Sequence, residues 1–463
     1  MKWISVVMMT VGLVSNLPAQ GGSDFLRTPA AAPFPRVPAN DRPGLPTGKV
    51  ALSAAERNNL LHAPQGAMLR LPSLDAFTGN ATGGLNYRRI QPFAPGAKIR
   101  QVSPAGIVVV PAPQRIFFLA THHASSVGLA VDPATGAISG LFAKGGDRLE
   151  ISSADGLNLT LSVPEPEPEG ASTCGTEAEN QPGFDLAALQ SGAFRSMSAA
   201  QAGTTITYQA VVAIDTDTEW MAGKGDNTVT AMNWITDVFL AMNVFYERDV
   251  ETRLLIGDVT LRIGSDPYSV TSGRSAQLDE FAQYWRLTMG SLDRDFAALF
   301  SGRGIGASNL TGGSYSGIAW INQYCQKGFL SGSTTVGSYS YHAIGTSRTP
   351  ANTAIFVGHE FGHNMGSPHT HCYSPAIDQC YNLEGGCYSG PVSCPAGGKG
   401  TVMSYCHVGS GSGGAGCGNS LLEFHPTVQT LIEDRLAANS PSCIAPFAGQ
   451  PDPPIFSDGF EAP

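Results

Sequence analysis

One stretch limits what this 463-residue chain can become more than any other: Val357-Gly358-His359-Glu360-Phe361-Gly362-His363-Asn364-Met365-Gly366-Ser367-Pro368-His369. It reads H-E-x-x-H-x-x-G-x-x-H. Residues four apart share one face of a helix, so His359 and His363 can aim both imidazoles at one metal ion. Glu360 faces the same cleft, is not needed as a ligand, and is free to act as a base. Gly366 can take the left-handed backbone that ends a helix, and Pro368 opposes its continuation. His369 then returns as a third nitrogen ligand. Three protein ligands leave a fourth position for water, which separates a catalytic zinc from a structural one. A helix whose histidines bind nothing is the plain alternative, but fixed positions packed this closely rarely arise by chance. Pro350-Ala351-Asn352-Thr353 supplies the helix start, with an Asn or Thr cap after the proline.

A second stretch, Thr401-Val402-Met403-Ser404-Tyr405, lies downstream. The two together resemble the metzincin zinc metallopeptidases, in which a tight Met-turn runs beneath the metal. The resemblance implies that Met403 forms an apolar floor under the histidines. It also implies that Tyr405, two residues on, stabilises the oxyanion or touches the zinc. On the residues alone, a buried Met is an ordinary core residue.

Composition sets the surroundings. Charged residues make up only 14%, Gly (55) and Pro (32) are abundant, and the net charge is −10. That favours a β-rich, loop-rich protein and gives no basic run for nucleic acid or an anionic membrane. Lys2, the short apolar run Ile4 to Val14, and Ser15-Asn16-Leu17-Pro18-Ala19 read as a secretory signal peptide over residues 1–20. No later run is long or apolar enough to span a membrane. Of nine cysteines, Cys174 stands alone in the first half, and eight fall between Cys325 and Cys443. In an exported chain eight cysteines suggest four disulfides, replacing a core in the Gly-rich region around the third histidine. A second, cysteine-bound zinc is the rival reading, and the spacing lacks the paired C-x-x-C it would need.

In chain order, residues 21 to about 97 are rich in Pro, Ala and Gly and are expected to be only partly ordered, with a short helix near Ala54 to Leu61. Short apolar runs over about 98–163 (Ile107–Val110, Ile116–Leu119, Ser126–Val131, Leu157–Leu161) predict strands of a small β domain. Pro164-Glu165-Pro166-Glu167-Pro168-Glu169 reads as a stiff linker over 164–170. The metzincin domain is expected over 205–443. It should hold a strand at Thr205–Asp215, an amphipathic helix at Thr228–Arg248, strands at Arg253–Ile256 and Val259–Ile263, and one or two helices over Gln277–Phe300. A final helix is expected over Phe424–Leu436, and a Pro-rich tail over 444–463. The fold class is therefore α/β (α+β): a metzincin catalytic domain with a mixed twisted sheet and an active-site helix, preceded by a β-rich prodomain within 21–195.

Within metzincins the domain resembles the reprolysin-like (adamalysin-like) M12 branch, although Thr370 stands where reprolysins carry Asp. The resemblance implies that Gly317, Ile318, Ala319 and Trp320 form the edge strand that binds an extended peptide; read alone, they are an ordinary core strand. It implies a Cys325–Cys443 bridge. It also implies that Cys174, in a C-G dipeptide, offers a thiolate to the zinc and keeps a zymogen silent until cleavage between about Gly183 and Gly203. Otherwise Cys174 is an unpaired thiol or the partner of another cysteine. His342, His371 and His407 read as structural. The function implied is a secreted, extracellular zinc endopeptidase acting on proteins or peptides, monomeric after propeptide removal. It would use one catalytic Zn2+, with a structural Ca2+ left open. The reading from another class is a secreted binding or adhesion protein with a vestigial zinc site; its usual mark, loss of the glutamate or a histidine, is not seen.

Overall fold

A computed structural model of the chain describes residues 45–80, 84–122, 125–165, 174–179, 181–191, 206–304, 315–418 and 420–449. The expected signal peptide, the stretch up to residue 44, most of the Pro/Glu linker, most of the cleavage window and the tail from 450 lie outside the described residues. Among the described residues no helix is long and apolar enough to cross a membrane.

Order begins earlier than composition suggested. Strand β1 (Gly48–Ala51) leads into helix α1 (Ala54–His62), which Ser53 and Glu56 close with a capping box. Strand β2 (Met68–Leu69), helix α2 (Pro72–Phe77) and strand β3 (Tyr87–Ile90) follow. Low net hydrophobicity hid this region. A few residues, Leu60, Leu71, Leu74 and Tyr87 among them, are wholly buried and sustain its core.

Next come β4 (Ile99–Ser103), β5 (Gly106–Val110), β6 (Ile116–His122), β7 (Ser125–Val131), β8 (Ile138–Lys144), β9 (Asp147–Ser153) and β10 (Asn158–Ser162). One sheet has the order β1-β10-β9-β8-β7-β6-β3-β2, and every pairing in it is antiparallel. The hairpin β4–β5 leaves that sheet and joins the other one.

After the short α3 (Leu186–Gln190), the second half reads β11 (Tyr208–Thr216), α4 (Thr218–Gly223), α5 (Thr228–Val250), β12 (Thr252–Arg262), α6 (Arg274–Thr288), β13 (Phe296–Ser301) and β14 (Tyr315–Ala319). Then follow β15 (Phe329–Ser331), β16 (Thr334–Val336), β17 (Tyr339–Ile344), α7 (Pro350–Asn364), α8 (Pro426–Asn439) and β18 (Ala445–Pro446). The second sheet runs β14-β17-β13-β11-β12-β4-β5, with β18 also paired to β11. It is mixed: β17, β13, β11, β12 and β4 are parallel, and β14 and β5 run antiparallel at the two edges. Two expectations need correction. The two strands expected in 253–263 are one, because the chain passes Gly257 and Asp258 as a bulge that shifts the register against β11 without ending the strand. The stretch to Phe300 ends in β13 rather than in a helix; once Trp285 closes the apolar face of α6, Phe296-Ala297-Ala298-Leu299-Phe300 is a wholly buried parallel strand.

Helix α5 joins the two halves. It is apolar nearly all round, so burial is expected on more than one side. It packs on β12, α7 and α8 and, from the other direction, on β6, β7 and β8. Gly128 lets β7 approach, since a Cβ there would lie 2.9 Å from Leu240. Ile90, Phe117, Leu119, Ala130 and Leu141 share one core with Phe239, Leu240 and Val244. The β-rich region and the second half are thus joined by a continuous core and by a shared sheet.

Four disulfides form: Cys325–Cys443, Cys372–Cys387, Cys380–Cys406 and Cys394–Cys417. Cys174 is free.

Candidate active site

Helix α7 presents the histidines. Its N-cap is Thr349, not a residue after Pro350; the proline takes the first helical position, where its missing N–H costs nothing. Two glycines let the helix sit close to its neighbours. A Cβ at Gly358 would lie 2.6 Å from Phe245 on α5, and one at Gly362 would lie 2.5 Å from the Met403 sulfur. Met403 is fully buried there. The helix ends in a Schellman turn: Ser367 N–H donates to Gly362 O, Gly366 N–H donates to His363 O, and Gly366 has φ +106°. That turn returns the chain to His369.

His359, His363 and His369 are all buried. Each Nδ1 has an acceptor: Val402 O at 2.7 Å, Ser367 O at 2.7 Å and Glu384 Oε2 at 2.6 Å. Each Nδ1 therefore carries the proton, and each Nε2 keeps its lone pair. The Nε2 atom of His363 lies 3.1 Å from those of His359 and His369. Three lone pairs converging so closely repel one another unless an electron-pair acceptor sits among them. Burial, and then the neighbouring imidazoles, push the pKa values of His359 and His363 well below the usual range, so both are neutral as metal ligands must be. Tetrahedral nitrogen ligands of zinc stand about 3.3 Å apart at Zn–N distances of ~2.05 Å. The donor set fits zinc.

Cys174 completes the cluster: its Sγ and the three imidazoles offer four ligand atoms within 4.8 Å of one another. Its thiol also donates to Glu360 Oε2 at 3.1 Å. Burial and the adjacent Glu360 carboxylate push that thiol up. Glu360 is wholly buried, and burial pushes its carboxyl up to about 8. Its Oε1 has no hydrogen-bond partner among the described residues. That oxygen faces β14, where a Cβ on Gly317 would come within 2.3 Å of it. Tyr405 donates its hydroxyl to the Cys174 carbonyl at 2.7 Å.

The segment from Cys174 onward lies along β14. Gly175 N–H donates to Gly317 O at 2.7 Å. Thr176 Oγ1 donates to Ala319 O and accepts from Ala319 N–H, both at 3.0 Å. Farther on, Gln323 Nε2 donates to Pro182 O. β14 is the outer strand of its sheet, so its free edge is available for such pairing. Gly317, Ile318 and Ala319 are in the strand; Trp320 lies just past its end, where its carbonyl accepts from Asn364 Nδ2.

His342 lies apart from the cluster, packed among Phe300, Phe356 and Phe361. His371 does not join the metal set; its Nε2 bonds Glu384 Oε2 at 2.7 Å. Glu384 was not singled out from sequence. It stands fifteen residues after His369, with no fixed spacing to mark it, and only the folded disulfide loop brings it back.

Residues 207–413 match the model Reprolysin_5, metallo-peptidase family M12. No curated protein matches the chain. Among solved structures, metalloproteinase-II from Bacteroides fragilis aligns over 67% of this chain and 91% of its own, at 11% identity and a TM-score of 0.31. A chain from a chaperone-substrate complex aligns over 64% of this chain and 43% of its own, at 13% identity and a TM-score of 0.27. Neither likeness is close enough to transfer an activity.

Proposed function

From a chain whose residues 207–413 match metallo-peptidase family M12, we propose a secreted zinc endopeptidase made as a latent zymogen. One observation carries the reading: three Nε2 lone pairs converge beside a buried carboxylate whose unpaired oxygen faces a sheet edge. A zinc ion held by His359, His363 and His369 would supply Lewis acidity and lower the pKa of its water toward about 7.

The protein's own groups do the rest. The outer edge of β14 receives the substrate main chain by strand addition, which recognises peptide backbone whatever the sequence. Glu360 takes a proton from water as the water oxygen adds to the peptide carbonyl carbon. It returns that proton to the leaving nitrogen as the C–N bond breaks, giving a carboxylic acid and an amine, and the acid's remaining proton passes to the amine so that they leave as carboxylate and ammonium. Tyr405 donates to the oxygen that gains charge, as it now donates to the Cys174 carbonyl.

Latency follows from the same contacts. The Cys174 sulfur stands in the donor set where a water would stand, and Gly175 and Thr176 line the strand edge where substrate would lie. Export is supported by four disulfides among the described residues. The active form is a monomer acting on protein or peptide chains.

The test is Glu360→Gln in purified, activated protein. The variant is expected to hold one zinc per chain and to lose turnover. Turnover at the parent rate would overturn the assignment of the base.

A further inference from the structure

Glu384 belongs to the loop closed by Cys372–Cys387 and is buried. Its two oxygens face different ways. Oε2 accepts from His369 Nδ1 at 2.6 Å and from His371 Nε2 at 2.7 Å. Oε1 accepts the backbone N–H of Ala178 at 2.9 Å.

The first set of contacts concerns the metal. His359 and His363 are oriented by neutral backbone carbonyls, whereas His369 is oriented by a charged carboxylate. A carboxylate on the far nitrogen fixes the tautomer, aims the ring and raises its basicity. The second contact concerns the cleft. Ala178 stands two residues beyond Thr176, and Gly175 and Thr176 lie against Gly317 and Ala319. Glu384 Oε1 is thus an acceptor on the cleft wall, aimed at main chain.

We propose that Glu384 is a positioning residue that joins cleft to metal: one oxygen orients the third histidine, and the other takes a backbone N–H from whatever chain fills the cleft. In the latent protein that N–H is Ala178's; after residues 174–178 leave, it is the substrate's. The inference rests on the zinc-peptidase reading. It goes beyond that reading by tying peptide binding to the metal ligand set through a single side chain.

Two variants test it. Glu384→Gln keeps the size but loses the charge and brings N–H donors where acceptors stood. Ala178→Pro deletes the N–H, fixing φ at residue 178 as it does so, and leaves every side chain of the metal set unchanged. Zinc affinity is read by competition with a chromophoric chelator on metal-free full-length protein, and ligand geometry by the visible spectrum after Co2+ substitution. Glu384→Gln is expected to weaken zinc binding by about 10- to 100-fold, to shift the Co2+ bands, and, after activation, to raise KM for a peptide more than it lowers kcat. Ala178→Pro, which leaves the carboxylate in place, is expected to shift the Co2+ bands of the latent protein at nearly unchanged zinc affinity. Parent-like zinc affinity and Co2+ spectrum in Glu384→Gln would overturn the orienting role. An unshifted spectrum in Ala178→Pro, or an unchanged KM in Glu384→Gln, would overturn the coupling. Failure of the parent protein itself to bind zinc would instead overturn the reading on which the inference rests.

Discussion

Replacing Gly317 by alanine adds one methyl group at the most crowded point of the site. A Cβ there would lie 2.3 Å from Glu360 Oε1, 2.5 Å from Phe356 Cε2 and 2.8 Å from Glu360 Cδ. Ordinary contact begins near 3.4 Å, so the carboxylate or the strand must give by about 1 Å. Phe356 and Glu360 are on the same helix, and both are buried, so neither can swing clear into solvent. Misplacing a catalytic group by about 1 Å costs on the order of 10²-fold in rate, about 2.7 kcal/mol of barrier. Overpacking a buried position costs about 1–3 kcal/mol of stability. The three histidines are held by Val402, Ser367 and Glu384, whereas the atoms nearest an added Cβ belong to Glu360 and Phe356, so zinc content should stay at one per chain. The assay is kcat/KM on a quenched fluorescent peptide with activated protein, beside zinc analysis and a melting curve. A fall of about 10²-fold at full zinc occupancy and a lowered Tm are expected. Parent-like kcat/KM with an unchanged Tm would refute the claim that Gly317 holds space for the base.

Other outcomes follow from other contacts. Cys174→Ala removes the fourth donor, so full-length protein should hydrolyse peptide without prior cutting; a variant as silent as the parent would remove the thiol from the account of latency. Burial and the nearby acids Glu251, Asp434 and Asp249 push the Glu433 carboxyl up to about 7 from 4.5. Its folded pKa is above its unfolded one, so the fold gains protons relative to the unfolded chain, and this group's contribution is lost as pH rises from about 4.5 to about 7. Glu433→Gln should therefore melt higher than parent at pH 7.5, with the gap closing by pH 4.5; a pH-independent gap would contradict this. A single cut within 192–205 should leave two fragments that co-elute on size exclusion, because β4 pairs with β12 and Phe117, Leu119 and Leu141 share a core with α5. Separation into two folded species would show that the shared sheet and core do not hold them together.

What the sequence made legible was whatever depends on local spacing. The histidine pattern needs only a helix and a turn, and Gly366 and Pro368 write the turn into the chain. The apolar stripe of α5 was legible as a helix. Its second apolar face was not read as a second partner, although burial on both sides is what joins β6–β8 to the rest of the molecule. The β4–β5 hairpin looked like part of an N-terminal β domain because strand periodicity does not say which sheet a strand will join. Phe296–Phe300 reads as the end of a helical stretch because a short, wholly apolar run has no period to distinguish strand from helix. Glu384 was hidden for a third reason: its role depends on a disulfide loop that folds it back onto His369, and cysteine spacing alone does not fix which cysteines pair. The same limit applies to Val402 and Ser367, which act through backbone carbonyls that any residue would carry.

The central claim is that a zinc held by three histidines, with Glu360 as base, hydrolyses peptide bonds once the Cys174 segment leaves. The most direct measurement is made on purified full-length protein: metal content by elemental analysis, with casein hydrolysis followed before and after limited proteolysis, with and without a chelator. One zinc per chain is expected, with no hydrolysis before cutting and hydrolysis after it that the chelator abolishes and added zinc restores. Protein that carries no zinc, or hydrolysis that persists in metal-free protein, would contradict the claim.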